Sequence, residues 1–226
     1  MRRGHCVVGD DNASGAIPPS LSERLDALAR AAHPGLRAGC RRIATGDELA
    51  LTSAELRPLE RSIDSVRRAS GAARIVAKAL LKQLGAAPGV ELPRSASRAP
   101  VWPPGFVGSL AHDDEYAAAA VASSVSLRGV GIDIEPALPL PEELLEMIAT
   151  ESELKQINGD LVLARLLFCM KEAVYKATHP TDGVFLGHHD VEVSLESSVA
   201  LTISGHSLRV YTIERPRLVA LALLTP

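Results

Sequence analysis

Gly131-Ile132-Asp133-Ile134-Glu135 is the stretch from which the fold of this chain can be read. Apolar and acidic residues alternate in it. On a β-strand, Asp133 and Glu135 therefore project from one face, and Ile132 and Ile134 from the other. The surrounding Val, Ile and Gly argue for burial on at least one side, and Pro136 ends the strand with the carboxylates at its C-terminal rim. Its counterpart is Lys171-Glu172-Ala173-Val174-Tyr175-Lys176, where Glu172 and Lys176 stand four apart on one helical face. Glu172 lies in a nearly apolar helix, and a buried acid there needs a cation or Lys176 as its partner. Asp133, Glu135 and Glu172 beside Lys171 and Lys176 have the chemistry of a hard divalent cation, Mg2+, holding a phosphate ester.

Around these two stretches the chain alternates helical and strand patterns. Residues 1–20 carry Gly, Asp, Asn, Ser and a Pro-Pro pair and read as a poorly ordered lead-in. Ser20 or Ser22 caps a short helix that His33-Pro34-Gly35 ends. Thr52 and Glu55 have capping-box spacing. A longer helix is expected from about Arg67 to Leu84, packed through Ile75, Ala79 and Leu80 and closed by Gly85. Trp102-Pro103-Pro104-Gly105 is a rigid turn whose tryptophan serves as a hydrophobic plug. Phe106–Leu110, Tyr116–Ala122 and Leu127–Glu135 are expected to form a β-meander around the polar turn Asp113-Asp114-Glu115, although Tyr116–Ala122 also fits a helix. Another helix starts at Thr150-Glu151-Ser152-Glu153. A strong helix spans Leu161 to Ala177, ended by Thr178-His179-Pro180, and four strands follow it. Helix followed by strands thus occurs twice, which suggests two similar halves.

Composition narrows the function. The 226 residues carry 24 Lys and Arg against 27 Asp and Glu, a formal net charge of −3, so the chain lacks the basic excess of a general nucleic-acid binder. The three cysteines, Cys6, Cys40 and Cys169, are widely spaced and form neither a zinc nor a disulfide pattern. No run approaches the roughly 18 apolar residues of a membrane helix, and no signal-peptide core follows Arg2-Arg3. A soluble protein of the reducing cytoplasm, with no membrane partner, is expected. His112 closes Gly108-Ser109-Leu110-Ala111-His112 and could donate to a phosphate, as could Arg74 or Arg98. Residue chemistry alone leads to a metal-dependent enzyme acting on a phosphoanhydride. A nucleotide loop is missing, since Gly129-Val130-Gly131 is too short and no helix follows it.

At this level of detail the chain resembles the 4′-phosphopantetheinyl transferases of the larger type that serves siderophore, nonribosomal peptide and polyketide synthesis. The resemblance rests on Trp102-Pro-x-Gly with Gly108-Ser-Leu-Ala-His112, on Gly131-Ile-Asp-Ile-Glu-Pro136 and on Phe168-Cys-Met-Lys-Glu-Ala-Val-Tyr-Lys-Ala177, in that order, with Arg67-Arg68, Arg74 and Leu84-Gly85 resembling the first helix of the family. It covers about residues 50 to 195. The resemblance implies an α+β fold of two pseudo-symmetric halves, each a long helix packed on a small, mostly antiparallel sheet, with the active site in the cleft between them. The halves would be residues 51–136 and 137–226, after a poorly assigned N-terminal segment of residues 1–50. Asp133, Glu135 and Glu172 would hold Mg2+ at the pyrophosphate of coenzyme A. Lys171 and Lys176 would contact the phosphates, and His112 with Arg67 or Arg68, Arg74 and Arg98 would hold the 3′-phosphoadenosine end. The phosphopantetheine arm would pass to a serine of an apo acyl or peptidyl carrier protein, with Glu172, or a water it holds, as base and Lys176 at the leaving oxygen. One chain supplies both halves, so a monomer is implied. The alternative is a non-catalytic homologue that binds a carrier protein or a coenzyme A derivative. Two departures from the family pattern motivate it: Ala111 where Ser or Thr is usual, and Asp113-Asp114-Glu115 after the histidine.

Overall fold

The computed structural model describes residues 19–226. Nearly all of the expected N-terminal lead-in, Cys6 included, lies outside the described residues. In chain order the elements are α1 (Leu21–Ala32), β1 (Leu36–Arg42), α2 (Ser53–Leu56), α3 (Asp64–Gln83), β2 (Phe106–His112), β3 (Tyr116–Ser123), β4 (Gly129–Pro136), α4 (Leu145–Ile148), α5 (Glu151–Ile157), α6 (Leu161–Asp182), β5 (Val191–Ser194), β6 (Val199–Thr202), β7 (Ser207–Ile213) and β8 (Arg217–Leu224). The strands form two antiparallel sheets, β1-β3-β2 and β4-β8-β7-β6-β5. The protein is α+β, with a long helix on each sheet.

Strand periodicity builds the layers. In β3, Ala118, Ala120 and Ala122 point to one core together with Val130, Ile132 and Ile134 of β4 and Val219, Leu221 and Leu223 of β8. Ala119 and Val121 point the other way, against Val76, Ala77, Leu80 and Leu81 of α3. On the far face of the larger sheet, Ala220 and Ala222 meet Ala164, Leu167, Ala173 and Ala177 of α6. The order is therefore helix, sheet, sheet, helix. The alanine side chains let the two sheets pack closely, which is where the low aromatic content of the sequence is used. The polarity expected for the β4 stretch is observed: Ile132 and Ile134 enter the core between the sheets, and Asp133 and Glu135 take the face shared with α6.

Several expectations are corrected. β4 does not complete a meander with β2 and β3; it pairs with β8, Asp133 opposite Ala220, and so belongs to the second sheet rather than the first. Its largely buried residues are better covered as an edge partner of β8, between a sheet and a helix, than in the first sheet. The buried stripe of α3 is Ala69, Ala72, Ala73, Val76, Ala77, Leu80 and Leu81, whereas Ile75 is half-buried and Ala79 exposed. Leu80 is buried as expected, while Ile75 and Ala79 lie one position off the stripe, in which Ala69, Ala72, Ala73 and Ala77 let the helix approach the sheet. α6 continues through Pro180 to Asp182. Proline in the last turn costs one helical hydrogen bond, and Gly183 in the left-handed conformation caps the helix, its N–H donating to the His179 carbonyl. The capping box expected at Thr52 forms, and Ser20 and Thr150 open their helices with boxes of the same kind. Trp102 is half-buried, lies over Gly108 and packs against the α3 core.

Candidate active site

Two glycines put α6 directly on β4. A Cβ at Gly131 would collide with the Ala173 carbonyl oxygen, and one at Gly129 would collide with that of Ala177. Backbone meets backbone, and the acidic face of β4 is carried up to the Glu172–Lys176 face of α6. Lys176 Nζ donates to Asp133 Oδ1 at 2.6 Å. Asp133 is 6 % exposed, and its Oδ2 is buried without a hydrogen-bond partner. Glu135 Oε2 pairs with Arg165 Nη1 at 2.8 Å, and Arg165 also donates to the Leu138 and Pro139 carbonyls. Among the described residues no hydrogen bond or ion pair engages the Glu172 side chain.

These contacts set the electrostatics. Burial raises the Glu172 carboxyl above the ordinary value and the Asp133 charge adds to it, against a lowering effect of Lys176. Burial and Asp133 likewise hold Glu135 high despite Arg165. Burial alone would lower Lys176, but Asp133 and Glu172 outweigh it and hold the ammonium above its ordinary value. The site is thus rich in negative charge, with Lys176 as the cation between its two elements.

Next to it the chain assembles a cavity lined by cations. Arg74, Arg94, Arg98, His112 and Lys176 all line a cavity of about 210 Å³, closed by Ser70, Ala73 and Leu110. Arg98 is carried on a turn with φ 67°. Burial and the Arg98 charge lower Arg94, as expected of cations crowded without an anion. His112, although exposed, is held below its ordinary value by desolvation from the protein packed around its ring, with Lys176 and Arg94 acting in the same direction. A second cavity of about 280 Å³ joins His112 to Arg68, Ser65, Asp113 and Asp114.

The expected site residues divide accordingly. Asp133, Glu172 and Lys176 come together, with Glu135 beside Asp133 on the same strand, and Arg68, Arg74, Arg98 and His112 line the two cavities. Lys171 does not join them. It is 1 % exposed, and Nζ spends its donors on Glu153 Oε2 at 2.6 Å, the Ile148 carbonyl at 2.8 Å and the His188 carbonyl at 2.8 Å. Its position one residue before Glu172 turns it about 100° away around the helix, into the core. Arg67 is occupied by the Leu59 and Glu60 carbonyls and by Asp64. Arg74 reaches its cavity while bound to the Leu92 carbonyl, to Ser70 and, at 3.8 Å, to Glu55. Arg94 and Arg165 had no assigned role from sequence. Arg165 was legible: it lies seven residues, two turns, before Glu172 on the same face.

The three carboxylates have the all-oxygen donor chemistry that Mg2+ takes, and the unpartnered Asp133 Oδ2 and the unengaged Glu172 are available to it. Yet among the described residues no three His, Cys, Asp or Glu side chains lie close enough together to hold a metal ion, and Lys176 and Arg165 balance two of the acids.

Comparison with known proteins bears on this arrangement. Residues 54–122 match the 4′-phosphopantetheinyl transferase N-terminal domain, and residues 129–220 match the 4′-phosphopantetheinyl transferase superfamily. The chain is 39 % identical over 163 residues to the 4′-phosphopantetheinyl transferase Npt of Nocardia iowensis, covering 71 % of this chain and 73 % of that protein. It is 39 % identical over 129 residues to Svp of Streptomyces mobaraensis, covering 54 % of this chain and 52 % of that protein. It is 36 % identical over 143 residues to PptT of Mycobacterium tuberculosis, covering 62 % and 63 %. Both of these are likewise named 4′-phosphopantetheinyl transferases.

Proposed function

The chain belongs to the 4′-phosphopantetheinyl transferase superfamily and is an enzyme of that transferase type, and from this premise we propose that it moves the phosphopantetheine arm of coenzyme A onto a serine of an apo acyl or peptidyl carrier protein. The observation that carries the proposal is the convergence of Arg74, Arg94, Arg98, His112 and Lys176 on one cavity that opens beside the Asp133–Glu172 face. Such a cavity suits a ligand with phosphates at both ends of a nucleoside, and the acidic face beside it suits a cation that would neutralise the reacting phosphoanhydride.

In this reading His112 and Arg68, with Arg74, Arg94 and Arg98, hold the 3′-phosphoadenosine end. Lys176 donates to the pyrophosphate, and its raised proton affinity keeps it charged there. Asp133, through its unpartnered Oδ2, and the unengaged Glu172 would hold Mg2+, with Glu135 beside Asp133 on the same strand but paired with Arg165. The metal would supply neutralisation of the pyrophosphate charge. Glu172, made more basic by burial, takes the proton of the carrier serine hydroxyl. The serine oxygen bonds to phosphorus as the bond to the bridging oxygen breaks, and adenosine 3′,5′-bisphosphate leaves with that electron pair. The nucleophile belongs to the partner, so none is required of this chain. Arg165 keeps Glu135 oriented, and Lys171 acts only through the α6 core. We read the working unit as a cytoplasmic monomer of halves meeting at this site; no helix among the described residues is long and apolar enough to cross a membrane.

The test is incubation with coenzyme A, Mg2+ and several apo carrier proteins, with the carriers then weighed by mass spectrometry. A gain of one phosphopantetheine is expected, lost in Asp133→Ala and in Glu172→Gln while circular dichroism stays unchanged. Absence of any gain across diverse carriers, or full transfer by both variants, would overturn the proposal.

A further inference from the structure

The acidic run after His112 has no place in the mechanism above, and its surroundings give it one. Asp113 and Asp114 wall the same cavity as Arg68 and His112. Carboxylates there oppose a phosphate. Asp113 Oδ1 is fixed by the backbone N–H groups of Glu115 and Tyr116, each at 2.7 Å, which tightens the turn between β2 and β3. Its Oδ2 is buried and accepts no hydrogen bond; Arg217 Nη1 lies 3.4 Å away. The same guanidinium pairs through Nη2 with Glu115 Oε1 at 2.6 Å. It also stacks on the Tyr116 ring, 5.2 Å from the centroid. Arg42 approaches the opposite end of this group, 5.3 Å from the ring centroid and 3.8 Å from Glu115, but its side chain is 74 % exposed against 13 % for Arg217. Water and salt therefore screen Arg42 far more than Arg217.

Arg217 opens β8 opposite Pro136, the residue that follows Glu135. It thus ties the turn of the first sheet to the strand pair that carries the acidic face. We propose that Arg217 is a positioning residue for coenzyme A: from the second sheet it neutralises Asp113 and Glu115, so that the His112 end of the cavity stays positive enough to hold a phosphate monoester. This inference rests on the assignment of His112 and Arg68 to the 3′-phosphate. Without Arg217, Asp113 becomes an uncompensated, largely buried carboxylate on the wall of an anion site, and like charges at that range in a partly buried setting repel strongly.

Titration calorimetry of the full chain with coenzyme A and with 3′-dephospho-coenzyme A tests it. Wild type is expected to bind coenzyme A more tightly than the dephospho form. Arg217→Ala should weaken coenzyme A binding about tenfold and the dephospho form less than about twofold, with the loss shrinking as salt is added. In transfer assays the change should appear in KM for coenzyme A, with kcat retained. Adding Asp113→Asn and Glu115→Gln to Arg217→Ala should restore affinity to within about twofold of wild type, because Asp113→Asn keeps an amide oxygen in the place of the Oδ1 acceptor that holds the turn. Should Arg217→Ala fail to fold, Asp113→Asn with Glu115→Gln in the presence of Arg217 carries the test, and coenzyme A must then bind at least as tightly as to wild type. Weaker binding by that double variant, an unchanged Arg217→Ala, or equal losses for both ligands overturns the inference alone. Equal affinity of wild type for the two ligands overturns the phosphate assignment, and the inference with it.

Discussion

Glu55 and Glu153 occupy matching places in the two halves, and they differ in what their cations are left free to do. Each is the glutamate of a Thr-x-x-Glu capping box, the third residue of the short helix that the box opens, and each is fully buried. Glu55 Oε2 accepts from Thr52 N at 2.9 Å and Oε1 from Leu92 N at 2.7 Å; Glu153 Oε2 accepts from Thr150 N at 2.8 Å and Oε1 from Val193 N at 2.7 Å. Each then pairs with a lysine of the long helix of its half, Glu55 with Lys78 at 2.9 Å and Glu153 with Lys171 at 2.6 Å. There the likeness ends. The Lys171 side chain is 1 % exposed and saturated, whereas that of Lys78 is 27 % exposed, and Glu55 has in addition Arg74, which faces the cavity lined by cations. The two halves share a way of pinning a short helix to a long helix and a following segment. Only in the first half does the pin also support a cation that lines a cavity. The lysine next to Glu172 looks by motif like a phosphate contact and is instead the second half's internal staple.

That contrast can be broken by mutation. The largest effect is expected from Glu153→Ala, which strands Lys171 in the core and should cost about 3–5 kcal/mol, against about 2–3 kcal/mol for Glu55→Ala, whose Lys78 can turn to water and whose buried Arg74 keeps the Leu92 and Ser70 carbonyls. Urea denaturation of both measures it, and equal losses would erase the distinction between a closed and an open pin. Lys171→Met comes next. It should lower stability by about 2–3 kcal/mol, against about 1 kcal/mol for Lys78→Met. Below its melting range it should also change the affinity for coenzyme A less than Lys176→Met does. A larger effect than Lys176→Met would return Lys171 to the phosphates. The smallest effects sharpen the symmetry itself. Thr52→Ala and Thr150→Ala each lose one capping hydrogen bond of the same geometry, so each should cost about 1 kcal/mol and the two should agree within a few tenths.

The division between what the sequence disclosed and what it hid follows the range of the interactions. Local signals were reliable. The alternation in β4 placed Asp133 and Glu135 on one face, the i, i+4 spacing placed Glu172 with Lys176, and the Thr52–Glu55 spacing placed a capping box. The fold class and two-half plan were also legible, from periodicity and from the family resemblance together. What failed depended on pairing across the chain. β4 reads as the third strand of a meander because its neighbours in sequence are strands, and only β8, some 80 residues further on, supplies its partner. The burial of Lys171 depends on Glu153 and on the Ile148 and His188 carbonyls, none of which any spacing rule connects to it. Arg217 had no sequence signal at all, since its contact with Asp113 exists only because two sheets stack. Arg94 was hidden differently, in a connector where Pro and Ser obscure the direction of every side chain.

The glycines of β4 bear on how such a site can change over time. The spacing between the strand that carries Asp133 and the helix that carries Glu172 and Lys176 is gauged by main-chain atoms at Gly129 and Gly131, which meet α6 at points one helical turn apart. Two such bearings stop the helix both from backing away and from rolling. The register of Asp133 against Glu172 and Lys176 is thereby insulated from the apolar residues that fill the rest of the second half. Those residues, and the outer surface, are free to drift without moving Asp133 relative to Glu172 and Lys176, so long as two positions keep nothing larger than a hydrogen atom.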